Sequence, residues 1–532
     1  MLVPALAVML AGAVVSGARV SDVSSADSTP RLVVLLVVDQ LRPDELLRYR
    51  TEWTGGFKRL LDQGVVFTRG QQDHAITQTG PGHSTLLSGR YPAHTGIPTN
   101  ALGAPDSLAT LIGDPTAVGA SPRHFTGTTL VDWMIARDSA TRVLSVSMKD
   151  RGAILPVGRS REQVYWWSKL GFFTTSRYYR DTLPSWVQAW NARAPVRHLA
   201  GRSWDLLKPA ATYPEPDSLP GEQGPDGRAT FPHRLATDLT AAGSQVTHFP
   251  WMDSLTLDLA LTGAARLELG TGSGGRTDLL SVSLSTVDEV GHDYGPDSRE
   301  MHDMLLRLDG YLGWFLDSLA ATVPAGNTIF VLTADHGVQP IPEQAVAGAG
   351  PMPVRAWPGP IVSALAGALR ERWQTDFGIR FDFGVVTADV AALQARGVDP
   401  DSLSRLLARQ LAREPYVERV YTPSSLAVAS ATDPLAARWR HTLPAGLGWL
   451  VTVTAHEGSS WGTWTTGADH GSPWPADVEI PIVFWGGGTR PQTVTAPVRS
   501  VDIAPTLARL LGIRPTEPLD GVPLPEVGRA PR

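Results

Sequence analysis

Leu32-Val33-Val34-Leu35-Leu36-Val37-Val38-Asp39 carries no polar residue until its last position. A strand with one wet face would alternate apolar and polar side chains. An unbroken Leu and Val run is instead the pattern of a strand covered on both faces, as in a parallel sheet with helices above and below. Gln40-Leu41-Arg42-Pro43 then breaks the strand, so Asp39 stands at its carboxyl end. In open α/β sheets, ligands gather outside that edge. Taken alone, Asp39 is better explained as a turn residue or a helix cap.

The arrangement recurs along the chain. Val143–Ser147, residues 279–287, Thr328–Thr333 and residues 480–485 are further apolar runs with strand character. The first is followed by Lys149-Asp150-Arg151, the second ends in Asp288-Glu289-Val290-Gly291-His292, and the third runs into Asp335-His336-Gly337. Asp469-His470-Gly471 precedes the last. Asp288 and His292 are expected on either side of a glycine-containing turn. Two cations one residue apart, Lys149 and Arg151, mark either a solvated loop or a pocket at the sheet edge. Each Asp or His has an ordinary structural explanation, but their repetition at strand ends is hard to explain as capping. The pattern predicts an α/β fold with a mixed, mostly parallel central sheet flanked by helices. Residues 31–344 and 454–525 form the core, and a smaller α/β cap is inserted at 345–453. Helices are expected at 57–61, 82–87 and 301–319, the last with His302 on its surface.

Thr77-Gln78-Thr79-Gly80-Pro81-Gly82-His83-Ser84 reads as a loop turning into a helix. Pro81 fits only a first helical turn, where its missing N–H costs no hydrogen bond. Thr79 is therefore expected at or near the N-cap, its hydroxyl facing unpaired backbone donors that also favour an anion. Gly80 leaves a backbone N–H open there. Asn100, in a Gly96-Ile97-Pro98-Thr99-Asn100 turn, is either a turn former or an amide donor to a bound oxyanion.

Composition narrows the classes. With 46 Lys and Arg against 52 Asp and Glu, the chain has a formal charge of −6, so no nucleic-acid-binding surface is expected. It contains no cysteine, which excludes disulfides, thiolate metal sites and a cysteine nucleophile. Residues 1–18 combine a short apolar run with Ser16-Gly17-Ala18 and are predicted to be a secretory signal peptide cut after Ala18. Residues 19–30 are expected to be a disordered lead-in. No later stretch is apolar and long enough to span a bilayer, so a periplasmic or secreted location is expected. Gly270-Thr271-Gly272-Ser273-Gly274-Gly275 matches the dinucleotide-binding glycine pattern by letter. It precedes a strand instead of following one, so it is a loop. The aromatic-dense segment from Tyr165-Trp166-Trp167 to Trp190 is expected to be a satellite hydrophobic cluster, or less simply a wall for an aromatic leaving group.

Asp39, Asp288, His292, Asp335, His336 and His470 make three carboxylates and three imidazoles, with Thr79 a further ligand candidate. Oxygen and nitrogen donors without sulfur suit zinc better than calcium or magnesium. The order Asp39, Thr79-x-Pro81-Gly82-His83, Asn100, Lys149-x-Arg151, Asp288-x-x-Gly291-His292, Asp335-His336-Gly337 and His470-Gly471 resembles the alkaline phosphatase superfamily. The closing segments Asp502-Ile503-Ala504-Pro505-Thr506 and Leu519-Asp520-Gly521 extend the likeness. Within the superfamily the chain is most similar to the single-chain, threonine-nucleophile bacterial alkaline phosphatases of PafA type. The resemblance implies two zinc ions, one held by Asp288, His292 and His470, the other by Asp39, Asp335 and His336 with Thr79. It implies Thr79 as the nucleophile, a phosphothreonine intermediate, and Asn100, Lys149 and Arg151 on the phosphate oxygens. No motif for a third metal site is present.

Charge matching then separates close relatives. Two zinc ions balance three carboxylates and a threonine alkoxide, leaving Lys149 and Arg151 to meet the two negative charges of a phosphate monoester. A diester carries one charge and a second substituent. The expectation is an exported phosphate monoester hydrolase acting on small-molecule phosphate esters, its oligomeric state left open. The alternatives are a nucleotide pyrophosphatase/phosphodiesterase of the same superfamily, or an exported metal-binding protein without catalysis.

Overall fold

A computed structural model describes residues 29–272, 275–346 and 350–528; the expected signal peptide and nearly all of the lead-in lie outside them. Strand Leu32–Val38 sits inside a ten-stranded sheet, paired in parallel with Asp278–Leu284 on one side and Thr328–Thr333 on the other. All of its side chains are fully buried, each stabilising the fold by roughly 1.5–3 kcal/mol relative to exposure. Beyond Asp278–Leu284 the sheet continues in parallel through Val143–Ser147 to Gln163–Ser168. It ends on the antiparallel edge strand Phe172–Thr174.

Beyond Thr328–Thr333 the direction reverses, through Glu479–Gly486 to Val65–Gln71. An antiparallel strand begins at the edge where its neighbour finishes. Because Ile482 pairs with Thr333, the loop carrying His470 reaches the edge where Asp335 emerges. Gln71 pairs with Glu479 in the same way, so the segment leading to Thr79 leaves from that edge too. The mixed, mostly parallel sheet expected from the apolar runs is present, and its mixture of directions is what gathers distant motifs.

Four local expectations are corrected. The helix predicted at 82–87 is Thr79–Leu86, with Gln78 as N-cap and Thr79 already in the first turn. Pro81 is compatible with that start because first-turn N–H groups have no intrahelical partner. Asp288 and His292 are not separated by a turn: both lie in helix Thr286–Tyr294, where i and i+4 share a face. His302, expected on the surface, is buried in helix Arg299–Ala320. It stacks on Tyr49 at 3.8 Å between ring centroids, and its Nδ1 lies 3.0 Å from Glu215. The aromatic segment is no satellite, since Trp166, Trp167, Phe173 and Trp190 belong to the main core. Strand Gln163–Ser168 and the edge strand Phe172–Thr174 carry the first three inward and helix Ser185–Asn191 carries Trp190, in edge-to-face contacts such as Trp167 with Phe173 at 5.0 Å.

A second, four-stranded antiparallel sheet runs Arg380–Asp382, Val385–Thr387, Trp449–Ala455, Val417–Tyr421. It has a core of its own built on residues such as Val386, Leu407 and Val451. This unit extends through Ala455, just past the boundary expected at 453. A further apolar cluster joins its Val385, Tyr421 and Trp439 to Ala75 and Ile76. The Ala75 N–H also donates to Thr442 Oγ1 at 2.7 Å. The smaller unit is thereby fastened to the segment that delivers Thr79.

Candidate active site

The carboxyl edge of the sheet gathers Asp39, Lys149, Asp288, Asp335 and His336, and the loop before Glu479–Gly486 adds His470. Donor atoms of Asp288, His292 and His470 lie within 4.8 Å of one another, as do those of Asp39, Asp288 and His336. Asp288 thus belongs to both groups. His292 Nε2 and His470 Nε2 are each 3.5 Å from Asp288 Oδ1, and His336 Nε2 is 3.4 Å from Asp39 Oδ1. Asp335, expected with Asp39 and His336, lies alongside, with Oδ2 3.6 Å from His336 Nε2.

The imidazoles are oriented for ligation. Nδ1 of His470 lies 2.7 Å from the Thr77 carbonyl, that of His336 2.9 Å from Gly337, and that of His292 2.9 Å from Ala468. A carbonyl only accepts, so each ring carries a proton on Nδ1, and Nε2 is the nitrogen left facing the carboxylates. Backbone support of this kind is how proteins fix the tautomer of metal-binding histidines.

Several buried polar atoms here have no hydrogen-bond partner among the described residues: Asp39 Oδ1, His336 Nε2 and Thr79 Oγ1. Orphaned buried acceptors cost stability unless something outside the chain satisfies them. A divalent cation fits this oxygen and nitrogen set.

Electrostatics separates the three carboxyls. Burial raises Asp39 well above the usual carboxylate range, and nearby Asp288 and Asp335 push the same way. Burial also opposes the charge on Asp288, but Lys149, His292 and His470 outweigh it and hold that carboxyl well below the usual range. For Asp335, burial is overcome by His336 and His83. His336 is pushed down to about 3 by burial. Burial lowers His470 too, but its contact with Asp288 lifts it to about 9. The Lys149 ammonium lies between the acids, 2.9 Å from Asp39 Oδ2 and in direct contact with Asp288.

Thr79, Asn100, Arg151, Asp288, His292 and His470 line one cavity of about 460 Å³. Asn100 Oδ1 accepts the Gly80 N–H at 2.7 Å, so that N–H, expected to be open, is taken. With Oδ1 occupied, Nδ2 is the side-chain donor that Asn100 has left. Arg151 Nε is buried without a partner among the described residues, and Arg151 also borders a neighbouring cavity of about 540 Å³ lined by Lys149, Trp166 and Trp167.

Two further residues, Gln40 and His83, support the site. Gln40 adopts a left-handed conformation, φ 72°. There its N–H reaches Asp335 Oδ1 at 3.2 Å and its side-chain amide Asp288 Oδ1 at 2.9 Å. His83 lies within the Thr79 motif, but its task is visible only in three dimensions. Its Nδ1 is 2.9 Å from the Thr79 carbonyl and 3.0 Å from Asp335 Oδ2, and its Nε2 is 2.9 Å from Ser283 Oγ. Between them, Gly82 has no room for a side chain: a Cβ would fall 2.0 Å from the Asp335 carbonyl oxygen. Gly82→Ala is expected to destabilise the fold by about 1–3 kcal/mol through overpacking, read from the urea midpoint, with less metal retained.

Known proteins resemble this chain in sequence and in fold. The sequence model of the family described as type I phosphodiesterase / nucleotide pyrophosphatase matches residues 33–357. Over 97% of its length the chain is 31% identical to alkaline phosphatase PafA of Elizabethkingia meningoseptica, covering 97% of that protein. Over 91% of its length it is 30% identical to alkaline phosphatase PhoV of Synechococcus elongatus, covering 90% of that protein. The crystal structure of wild-type alkaline phosphatase PafA superposes with a TM-score of 0.85 at 29% identity, over 94% of this chain and 99% of that one.

Proposed function

Since this chain belongs to the type I phosphodiesterase/nucleotide pyrophosphatase family within the alkaline phosphatase superfamily, we propose that it is an exported, zinc-dependent alkaline phosphatase. It hydrolyses phosphate monoesters through a phosphothreonine formed on Thr79. The observation that carries this reading is the Thr79 hydroxyl, buried and unpartnered among the described residues, in one cavity with Asn100, Arg151, Asp288, His292 and His470.

Asp288, His292 and His470 would hold one zinc ion, and Asp39, Asp335 and His336, with Thr79, the other. When bound, the metals supply Lewis acidity that lowers the pKa of an attacking hydroxyl and stabilises a leaving oxygen. The chain's own groups do the positioning. Helix Thr79–Leu86 presents the hydroxyl from its first turn, at the positive end of the helix dipole, which favours an incoming anion. Asn100 Nδ2 and the Arg151 guanidinium are donors for the non-bridging phosphate oxygens, and such preorganised donors are worth most where charge builds up. Carboxylates taken up as metal ligands would release the Lys149 ammonium to the same phosphate. Phosphoryl transfer asks for positioning and charge more than covalent assistance, and these side chains provide both.

A diesterase reading is favoured by one observation, the description of the matching family itself. The ratio of kcat/KM on p-nitrophenyl phosphate to that on bis-p-nitrophenyl phosphate, for zinc-loaded protein lacking residues 1–18, decides between them. A ratio well above one supports the monoesterase, and a ratio below one makes the protein a diesterase. Arg151→Ala is expected to cost roughly 10- to 100-fold in monoester kcat/KM, the loss of a charged oxygen clamp, and much less on the diester. Equal losses on both would remove the charge-matching basis for monoester preference.

Export rests on residues 1–18, which lie outside the described residues. Among the described residues, no helix is long and apolar enough to cross a membrane.

A further inference from the structure

The residues that suit the phosphoryl group leave the alcohol portion of the substrate unassigned. On the main sheet's side the cavity is lined by polar groups. Its two aromatic side chains, Phe383 and Trp464, come from elsewhere: one from the smaller sheet, the other from the loop ahead of His470.

Phe383 is held there against its own backbone preference. Asp382 pairs with Val385, leaving Phe383-Gly384 as a two-residue hairpin turn with φ of 40° and 88°. Turns with two positive φ angles favour Asn-Gly or Asp-Gly, and a bulky residue in the first place is strained. Strain of this kind persists where the surroundings over-determine it, and it clusters at functional sites. The Phe383 ring packs over Gly471, where a Cβ would lie 2.5 Å from it, next to His470. Trp464 is 44% exposed and lies over Gly462, where a Cβ would fall 2.2 Å from its ring. Two bare glycines therefore give two aromatic rings their places. The same turn brings a carboxyl, Asp382, to the cavity and no cation.

Building on the phosphomonoesterase reading, we propose that Phe383 and Trp464 form the binding wall for the alcohol portion of the substrate. The wall favours an uncharged, planar aromatic alcohol over a small aliphatic or an anionic one. Apolar aromatic surface gains most from a flat apolar partner, and Asp382 repels a second negative charge.

Benzyl phosphate and methyl phosphate test this, because their leaving alcohols have similar acidity and differ in the ring. In the zinc-loaded enzyme the benzyl-to-methyl ratio of kcat/KM is expected to exceed one. It should fall about fivefold in Phe383→Ala and about tenfold or more in Phe383→Ala/Trp464→Ala, the range of one or two aromatic contacts. Phe383→Leu keeps apolar packing on Gly471 but lacks the ring, so it provides the same readout if the alanine variant fails to fold. Its ratio should also fall. An unchanged ratio in the Phe383 and Trp464 variants, with both esters still hydrolysed, overturns the wall and leaves the phosphatase reading standing. Failure of the wild-type enzyme to hydrolyse either ester overturns the phosphatase reading itself.

Discussion

Thr79→Ala is expected to lower monoester turnover by roughly 10⁴- to 10⁶-fold, the scale seen when a covalent nucleophile is deleted, while bound zinc stays close to its wild-type content. The asymmetry follows from the site. Thr79 Oγ1 makes no hydrogen bond among the described residues, so its removal strands none of them and opens only a small space in the first turn of the helix. The His and Asp donors that would hold metal come from other elements and are fixed by their own contacts, such as His470 to the Thr77 carbonyl. Thr79→Ser keeps the hydroxyl and should retain measurable turnover. Quenching the wild-type enzyme during turnover should also trap phosphate on the chain, which the alanine variant cannot accept. Retention of most of the rate in Thr79→Ala would show that another group attacks.

The second large effect is expected from Asp288→Ala: loss of about one equivalent of bound zinc and a fall in turnover of roughly 10³-fold or more. A Lewis acid is worth several kcal/mol to a transition state, and each 1.4 kcal/mol is tenfold in rate. Asp288 lies within reach of both donor groups, accepts from Gln40, contacts Lys149 and faces two imidazoles. Metal analysis of dialysed protein checks this against His336→Ala, which should lose the other equivalent. Loss of both equivalents in Asp288→Ala would mean that this carboxylate serves both ions. Two equivalents retained at full rate would remove Asp288 from the metal centre.

The legibility of this chain differed from one level to the next. The run ending at Asp39 was readable because burial on both faces removes the polar alternation of a half-exposed strand. Asp288 and His292 were readable as a pair, yet their helix was not, because Gly291 suggested a turn. In the structure that glycine is needed for a different reason: a Cβ there would fall 1.7 Å from Gln40 Oε1, the amide that supports Asp288. His302 carried an amphipathic helix position but not its burial, which depends on Tyr49 and Glu215 from distant segments.

By itself the sequence determined the fold class, the ends of the parallel strands, and which side chains could carry metal and phosphate chemistry. All of these follow from local pattern and from what each residue type can ligate or donate. Only the tertiary structure decided how those side chains meet. The antiparallel run of Glu479–Gly486 is what returns His470 to the edge holding Asp335. The left-handed backbone at Gln40 is what ties Asp39's strand to Asp288. The hairpin at Phe383 brings the smaller sheet to the cavity. Strand direction, positive φ and long-range packing are set by contacts between segments hundreds of residues apart, and no local stretch of the chain encodes them alone.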